Sequence, residues 1–247
     1  MKRARIAYRG EVCVAIASGG GLILPDGRAI TESDALFLPP VEPRTSFALG
    51  LNYAAHQSEL GFKPPEKPLI FLKGPNTFVG HRGETPRPPN VKLMHYECEL
   101  AVVIGRAGKN ISRADAMDYV AGYTIANDYV VRDLIENYYR PNLRAKSRDR
   151  FTPLGPWLVD AADVPDPHAL ELRTFVNGEL TQHGNTRDMI FDIPFLIAYL
   201  SEFMTLSAGD MILTGTPEGV RNVEPGDEIV CEIKGLGRLM NTIVEDQ

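Results

Sequence analysis

The amino-acid sequence predicts an α+β protein that is rich in antiparallel or mixed β-sheet. Short segments of alternating apolar and polar residues recur along the 247-residue chain, separated by turn signals that contain Gly, Pro or Asn-Gly. Few segments have helical periodicity, and strands do not alternate regularly with helices as they do in parallel α/β folds. Because 44% of the residues are hydrophobic, the chain can bury the core of one large domain with a small appendage.

The first 43 residues predict a small N-terminal β subdomain that ends in a linker. Segments 5–8 and 12–16 alternate like strands on either side of Arg9-Gly10, and Pro25-Asp26-Gly27 is typical of another turn. A proline-rich stretch then predicts a stiff connection, Leu38-Pro39-Pro40 with Pro43. Residues 44–247 are therefore expected to form the main domain.

Capping signals predict two helices in the first half of the main domain. Segment 52–60 suits a short helix with Asn52 as its N-cap and Gly61 at its end. Residues 112–115 form a capping-box pattern that predicts a helix through residue 119.

The second half of the chain is predicted to be mostly strands. Segment 123–127 alternates like a strand that delivers Asp128 at its end, and Asn177-Gly178 favours a type I′ hairpin turn. Further strands are predicted at 211–213, 228–233 and 238–244, of which the last two form a closing hairpin.

One longer helix is predicted at about 194–204, with Asp192 as its cap. Four of its apolar residues recur at helical spacing and are expected to face the core: Phe195, Leu196, Tyr199 and Phe203.

Composition and charge exclude several classes of protein. The net charge of -6 argues against nucleic acid as a partner. The three cysteines are widely spaced and lack a C-x-x-C pattern, which excludes a disulfide framework or zinc ribbon and fits a reducing compartment. No segment approaches the roughly 20 apolar residues of a membrane span. The sequence therefore predicts a cytoplasmic protein without a membrane partner.

Two glutamates, Glu97 and Glu99, stand directly before the apolar run 100–104. In a strand both carboxylates would project from one face, and Cys98 from the other. Two anions held so close repel each other and lose hydration, and a divalent cation such as Mg²⁺, Mn²⁺ or Ca²⁺ would remove both penalties. The alternative is a solvated strand end with incidental acids.

His56 and Glu59 lie three residues apart in the predicted helix 52–60, and so share one face. A histidine beside a carboxylate is a candidate acid/base pair for proton transfer. The alternative is a structural histidine, which is the commoner role of a lone His.

A series of motifs spread over the chain from about residue 47 to the C-terminus resembles the fumarylacetoacetate hydrolase family. These motifs occur in the family's order: Gly50-Leu51-Asn52-Tyr53-x-x-His56-x-x-Glu59, Phe71-Leu72-Lys73, Tyr96-Glu97-x-Glu99-Leu100, Asn127-Asp128-x-x-x-Arg132-Asp133, Lys146-Ser147, Gly155-Pro156-Trp157, Val176-Asn177-Gly178-Glu179 and Thr214-Gly215-Thr216-Pro217-Glu218-Gly219-Val220. The resemblance implies a mixed β-sandwich roll, usually dimeric, with residues 44–247 as the catalytic domain.

The resemblance also implies a role for each site residue. Glu97, Glu99 and Asp128 would hold one divalent cation, with Mg²⁺ expected and Mn²⁺ or Ca²⁺ as alternatives. The implied catalytic residues are His56, Glu59 and Lys146, and the helix that carries the first two would act as a lid. The implied substrate-binding residues are Arg132, Thr216, Ser147 and Arg148. From the sequence alone, Lys146 could be a surface lysine, which is the commoner case for a lone lysine, and Arg132 could form a salt bridge with Asp133.

Within the family, three segments are similar to the branch that decarboxylates and isomerises intermediates of homoprotocatechuate (4-hydroxyphenylacetate) catabolism: 95–97, 136–144 and 146–149. They resemble the C-terminal half or subunit of those enzymes. This closer resemblance implies decarboxylation of 5-oxopent-3-ene-1,2,5-tricarboxylate and isomerisation of 2-hydroxyhepta-2,4-dienedioate. The implied partners are a 2-oxo di- or tricarboxylate substrate and a second copy of the chain, or a homologous N-terminal-type subunit.

One departure from the family pattern bears on the reaction. Hydrolytic and oxaloacetate-type members carry Gln where this sequence has Ile135, which argues against a hydrolase. Arg140, Arg144 and Arg148 add cationic groups that suit a di- or tricarboxylate, or else are surface charges. The alternatives are an acylpyruvate hydrolase, an oxaloacetate decarboxylase, or a metal-bound structural or binding protein without turnover.

Overall fold

A computed structural model describes residues 1–59, 61, 66–135 and 142–246 of the chain. Its α-helices are α1 (Ala54–Glu59), α2 (Leu143–Lys146) and α3 (Ile193–Phe203). Its strands are β1 (Lys2–Tyr8), β2 (Glu11–Ser18), β3 (Gly21–Ile23), β4 (Ala29–Thr31), β5 (Leu36–Leu38), β6 (Ser46–Gly50), β7 (Leu69–Leu72), β8 (Phe78–Val79), β9 (Gly83–Arg87), β10 (Met94–His95), β11 (Cys98–Ile104), β12 (Val120–Asn127), β13 (Val130–Val131), β14 (Thr152–Asp160), β15 (Glu171–Val176), β16 (Glu179–Asn185), β17 (Met211–Leu213), β18 (Glu228–Ile233) and β19 (Gly237–Glu245).

Among the described residues, the strands form two large sheets and one small one. The larger sheet runs in the order β4-β3-β2-β1-β14-β12-β11-β17-β6-β7, with β5 paired to β1 and β8 paired to β14. The second sheet has the order β16-β15-β18-β19-β9, and β10 pairs with β13 on its own. Most pairs are antiparallel, whereas β17–β6, β14–β8 and β19–β9 are parallel. The predicted α+β class with a mixed, sheet-dominated architecture is confirmed.

The N-terminal strands join the rest of the molecule through the larger sheet, because β1 pairs with β14. The predicted strands and turns of this region are present, with both Arg9 and Gly10 at positive φ between β1 and β2. The domain boundary near residue 43 stays a prediction.

The main hydrophobic core lies between the two large sheets. Strands β11 and β12 of the larger sheet face β15, β18 and β19 of the second. The buried core residues of these five strands include Leu100, Val102, Ile125, Leu172, Cys231 and Leu239. A separate, smaller apolar cluster covers the opposite face of the larger sheet, and consists of Ala48, Ala101, Ala126, Leu154, Met211 and Leu213.

Strand β11 divides its side chains between these two faces, as its alternation predicts. Cys98 points into the main core, whereas Ala101 belongs to the smaller cluster. Glu99 has the same parity as Ala101, and so projects from the face away from the main core. The strand pattern therefore places a carboxylate beside small apolar side chains, where water is excluded.

Helix α3 buries a different face from the predicted one. Asp192 caps it as expected, since its side chain accepts a hydrogen bond from the Phe195 backbone N–H. Leu196 is buried as predicted, but it lies on an aliphatic face with Ile193, Ile197, Leu200 and Ser201. The expectation for the three aromatic residues is wrong: they form an outer ladder with Phe191, whose successive ring centroids are 5.2, 6.0 and 5.7 Å apart.

Two predicted helix starts are also wrong. Helix α1 begins at Ala54, and the Asn52 amide instead bridges Thr214 and Phe191, with a bond of 2.8 Å to the Thr214 carbonyl. At 112–119, Ser112 and Asp115 make the expected side-chain contacts, but a 3₁₀ helix follows only at Ala116–Tyr119. In both cases tertiary or local turn contacts take the polar groups that an α-helical cap would use.

No helix among the described residues is both long and apolar enough to cross a membrane.

The burial of α3 gives a direct test of the packing. Leu196→Ala should lower the free energy of unfolding by about 2 to 5 kcal/mol, because it leaves a cavity in the core. Phe203→Ala removes a larger side chain that is 57% exposed, and should cost less than about 1 kcal/mol. Urea unfolding of both variants checks this, and equal losses would contradict the described orientation of the helix.

Candidate functional site

Three carboxylates meet where β11 begins and β12 ends. Glu97 directly precedes β11, Glu99 lies within it, and Asp128 follows β12, its antiparallel neighbour. One oxygen from each carboxylate lies within 4.8 Å of the others. Two hydrogen bonds of 2.9 Å fix the position of Glu97 relative to Asp128. The Asp128 N–H donates to the Glu97 carbonyl, and the Glu97 N–H donates to the side-chain oxygen Oδ1 of Asn127.

Glu99 is fully buried, as is Asp128. Its Oε2 accepts a hydrogen bond of 2.7 Å from the Gly215 N–H, whereas its buried Oε1 has no hydrogen-bond partner among the described residues. Burial, with repulsion from Asp128 and Glu97, raises the pKa of Glu99 well above its usual range. Three hard oxygen donors, one of them unpartnered, fit a divalent cation. The triad could therefore bind a metal ion.

Lys146 lies at the end of α2 and contacts two members of the triad. Its Nζ donates to Glu97 Oε2 and, at 2.8 Å, to Asp128 Oδ2. Burial acts to lower the pKa of Lys146, but the charges of Asp128 and Glu97 outweigh it, so that the pKa is raised. The ammonium group is thus held protonated beside the carboxylates, and the alternative of a surface lysine is wrong.

Lys73 is a second buried ammonium that the sequence analysis did not assign to the site. It follows β7, its side chain is 0% exposed, and its Nζ donates to Asp128 Oδ1 at 2.6 Å and to the Lys146 carbonyl. Burial lowers the pKa of Lys73, against the pull of Asp128. The sequence does contain an indication of this role, since the lysine directly follows the apolar strand Leu69–Leu72 and belongs to the motif Phe71-Leu72-Lys73.

Arg132 connects the triad to two histidines. Its guanidinium donates to Glu97 Oε1 at 2.8 Å and to His95 Nδ1 at 3.3 Å, and lies 3.5 Å from His56 Nε2. The alternative salt bridge to Asp133 is not formed, because that carboxylate accepts from the backbone N–H groups of residues 92 and 93. Burial and the charge of Arg132 lower the pKa of His95 to about 4, which keeps its ring neutral as an acceptor. His95 is another site neighbour that the sequence analysis left unassigned.

His56 and Glu59 form the pair that helical spacing predicts. His56 Nδ1 lies 2.9 Å from Glu59 Oε2 and must be the donor, because a carboxylate only accepts. The other Glu59 oxygen accepts from the Gly219 N–H at 3.0 Å, and the Gly219 carbonyl accepts from the Tyr96 hydroxyl. Burial lowers the pKa of His56, although Glu97 and Glu59 oppose this. The ring is therefore neutral near pH 7, with Nε2 turned toward Arg132.

The remaining predicted substrate-binding residues make no described hydrogen bond to the three carboxylates. Thr216 is buried next to Gly215, and its hydroxyl accepts from Gln182 Nε2 at 2.8 Å. Ser147 directly follows Lys146, and Arg148 donates from Nε to the Arg144 carbonyl at 2.8 Å. Arg140 and most of the motif 136–144 lie outside the described residues. Substrate contact by these residues stays a prediction.

The family model for the C-terminal domain of fumarylacetoacetate (FAA) hydrolase matches residues 45–244. The chain therefore belongs to the fumarylacetoacetate hydrolase family, and its sheet architecture is of that family's type. A 4-hydroxyphenylacetate degradation bifunctional isomerase/decarboxylase of Salmonella dublin is 66% identical over 200 residues, which cover 81% of this chain and 47% of that protein. The chain spans about half the length of the curated bifunctional relatives that it matches.

Solved structures of other relatives match along the whole chain. The 5-carboxymethyl-2-hydroxymuconate delta-isomerase from Mycobacterium smegmatis has a TM-score of 0.88 at 38% identity, with 100% of both chains covered. The 2-hydroxyhepta-2,4-diene-1,7-dioate isomerase from Mycobacterium marinum has a TM-score of 0.87 at 37% identity, and covers 100% of this chain and 99% of that one.

The buried Glu99 carboxylate predicts opposite effects of one substitution on stability and on metal binding. Its pKa is raised in the folded state, so that ionisation disfavours folding as the pH rises above the unfolded value. Glu99→Gln should stabilise the metal-free protein at pH 7.5 by about 1 to 3 kcal/mol, since an amide can donate to the neighbouring carboxylates. Urea unfolding in the presence of a chelator measures this.

Saturating Mg²⁺ should reverse the order of stabilities, because it stabilises the wild type by linkage and leaves the variant unchanged. Glu202→Gln on the exposed face of α3 is the control, and should resemble the wild type in both conditions. A Glu99→Gln variant that Mg²⁺ stabilises as strongly as the wild type would place the cation elsewhere.

Proposed function

We propose that this chain decarboxylates 5-oxopent-3-ene-1,2,5-tricarboxylate and isomerises 2-hydroxyhepta-2,4-dienedioate in 4-hydroxyphenylacetate catabolism. The observation that carries the proposal is the contact of Arg132 with both Glu97 and His56, since it joins a metal-binding triad to a proton-transfer pair within one site. The names of the similar proteins, an isomerase/decarboxylase and two isomerases, support the same pair of reactions.

The proposed cofactor is one Mg²⁺ ion, with Mn²⁺ or Ca²⁺ as alternatives, held by Glu97, Glu99 and Asp128. Such a cation supplies positive charge for the electron density that a 2-oxo acid gathers on its keto oxygen as CO₂ leaves. Hard, anionic oxygen donors favour these ions over softer metals.

Cationic side chains would bind the substrate and stabilise its developing charge. Lys146 presents a protonated ammonium in a site without bulk water, where an electrostatic interaction is stronger than in solution. Arg132 can bind a carboxylate with its planar fork, although in the structure it binds Glu97. Thr216, Ser147 and Arg148 are proposed to hold the remaining polar groups of the substrate.

His56 is the proposed proton carrier between substrate carbon and oxygen. Because Nδ1–H is bound to Glu59, the unprotonated Nε2 of the neutral ring, which faces Arg132 at 3.5 Å, can accept a proton, and the resulting cation is stabilised by the Glu59 carboxylate. Decarboxylation and isomerisation share a dienolate, which lets one acid/base pair serve the protonation of both. The apolar Ile135, where hydrolytic members carry Gln, supports decarboxylation over hydrolysis.

The proposed setting is a cytoplasmic homodimer, with a homologous N-terminal-type subunit as the alternative partner. The three cysteines are free thiols, which suits a reducing compartment. A small subdomain of residues 1–43 and a catalytic domain of residues 44–247 are proposed as the units of the chain.

Product analysis tests the proposed reaction. Metal-loaded protein incubated with the tricarboxylate should release CO₂ and form the seven-carbon dioate without pyruvate, because the site is proposed to break the bond to a carboxylate. Parallel incubations with oxaloacetate and acylpyruvates should be slower. Release of pyruvate would instead identify an acylpyruvate hydrolase, and metal binding without turnover of any 2-oxo acid would favour a binding protein.

Substitution of either member of the proton-transfer pair should lower the rate of proton transfer without weakening the binding of ligand or metal. His56→Ala or Glu59→Gln should lower kcat for solvent-deuterium incorporation at the reprotonated carbon by about 10² to 10⁴-fold. Oxalate and Mg²⁺ should still bind, since the triad and Lys146 are unchanged. Normal deuterium incorporation in both variants would assign the proton transfer to another group.

The pH profile provides a second measurement on the same pair. His56 must be neutral to accept a proton and its pKa is lowered, so kcat/KM for isomerisation should stay high until the pH falls below 6.5. In Glu59→Gln the residual activity should persist to a still lower pH, because Glu59 raises the pKa of His56. If the fall of kcat/KM on the acid side moved to higher pH in this variant, the assignment of His56 as the proton acceptor would be contradicted.

A further inference from the structure

Lys73 gives the candidate metal centre an unusual balance of charge. Among the described residues, three ammonium or guanidinium groups bind two of the three carboxylates directly: Lys73 and Lys146 at Asp128, and Lys146 and Arg132 at Glu97. The third carboxylate, Glu99, lies beside these two. With every group in its charged form, the positive and negative charges of this cluster cancel. Glu59 is not part of the cluster, since it is partly exposed and pairs with His56.

The burial of the cluster makes this balance energetically important. Lys73 and Asp128 have side chains that are 0% exposed, and Lys146 and Glu97 are nearly as deep. An uncompensated charge is costly in such a place, because neither water nor mobile counterions can surround it. A divalent cation that entered this cluster alone would leave two excess positive charges.

An anionic ligand would remove that excess. The enolate form of a 2-oxo acid, or oxalate as its stable mimic, carries two negative charges at the end that is proposed to bind here. Cation and anion together restore neutrality, whereas either one alone does not. Lys73 makes no described hydrogen bond to His56 or Glu59, and its described polar contacts are to Asp128 and the Lys146 carbonyl.

We propose that Lys73 is a positioning residue whose charge, acting through Asp128, weakens the binding of the divalent cation alone and strengthens that of the anionic 2-oxo acid, so that the site fills with both together. This inference rests on the proposed metal site, but not on the identity of the substrate. By thermodynamic linkage, the anion raises the affinity for the cation by the same factor by which the cation raises the affinity for the anion. The site would thus acquire its cation chiefly when substrate is present.

The test measures Mn²⁺ binding to the full chain by electron paramagnetic resonance, with and without oxalate. In the wild type, oxalate should tighten Mn²⁺ binding by at least about tenfold, because it offsets charges only a few ångströms away. Titration of oxalate with and without Mn²⁺ should give the same factor, which checks the linkage independently.

Lys73→Met keeps the length of the side chain and removes its charge. Mn²⁺ without oxalate should then bind about tenfold more tightly than in the wild type, and oxalate without Mn²⁺ about tenfold more weakly, because the removed charge repels the cation and attracts the anion. Lys73→Arg retains the charge and should behave like the wild type. The matched control is Lys234→Met in the exposed turn between β18 and β19, which should leave both affinities unchanged.

The opposite sign would overturn the inference. If Lys73 only orients Asp128, then Lys73→Met should weaken Mn²⁺ binding, and Lys73→Arg should fail to restore it. If Lys73→Met does not fold by circular dichroism, Lys73→Gln tests the same loss of charge with the same expected signs. Wild-type protein that binds no Mn²⁺ in either condition would contradict the proposed metal site itself, whereas tight binding without oxalate would contradict only the role of Lys73.

Discussion

The burial of three carboxylates within a few ångströms of each other is the constraint on which the rest of the site depends. Such a group of anions is unfavourable in an apolar setting unless positive charge accompanies it. The fold brings that charge from three separate places: Lys73 after β7, Lys146 at the end of α2, and Arg132 after β13. Each of these segments is therefore tied to the triad, and the geometry of the site follows from the neutralisation of its own charges.

The same contacts explain how binding and proton transfer can share one site. Arg132 touches Glu97 on one side and approaches His56 on the other, so the position of the acid/base pair is fixed relative to the triad. Glu59 is in turn anchored on the Gly219 N–H, in the turn whose Gly215 N–H binds Glu99. One turn of backbone thus orients both a triad carboxylate and the proton-transfer pair.

The sequence predicted the features that arise from local periodicity, and it missed those that depend on distant partners. Glu97 and Glu99 were placed on one face because strand alternation is strict, and the Asn177-Gly178 hairpin follows from local φ preferences. Helix α3 was oriented incorrectly because apolar residues occupy more than one of its faces. Lys73 and His95 went unassigned because their partners lie 55 and 37 residues away in the chain.

Anomalous diffraction from crystals that contain Mn²⁺ and oxalate tests the central claim most directly, because it locates the metal without reference to activity. We expect a single strong peak between the carboxylates of Glu97, Glu99 and Asp128, at the roughly 2.0 to 2.2 Å oxygen distances typical of small divalent ions. Oxalate should lie beside it, within reach of Lys146. A peak at any other group of residues, with Lys146 and Lys73 still bound to an empty triad, would contradict the claim.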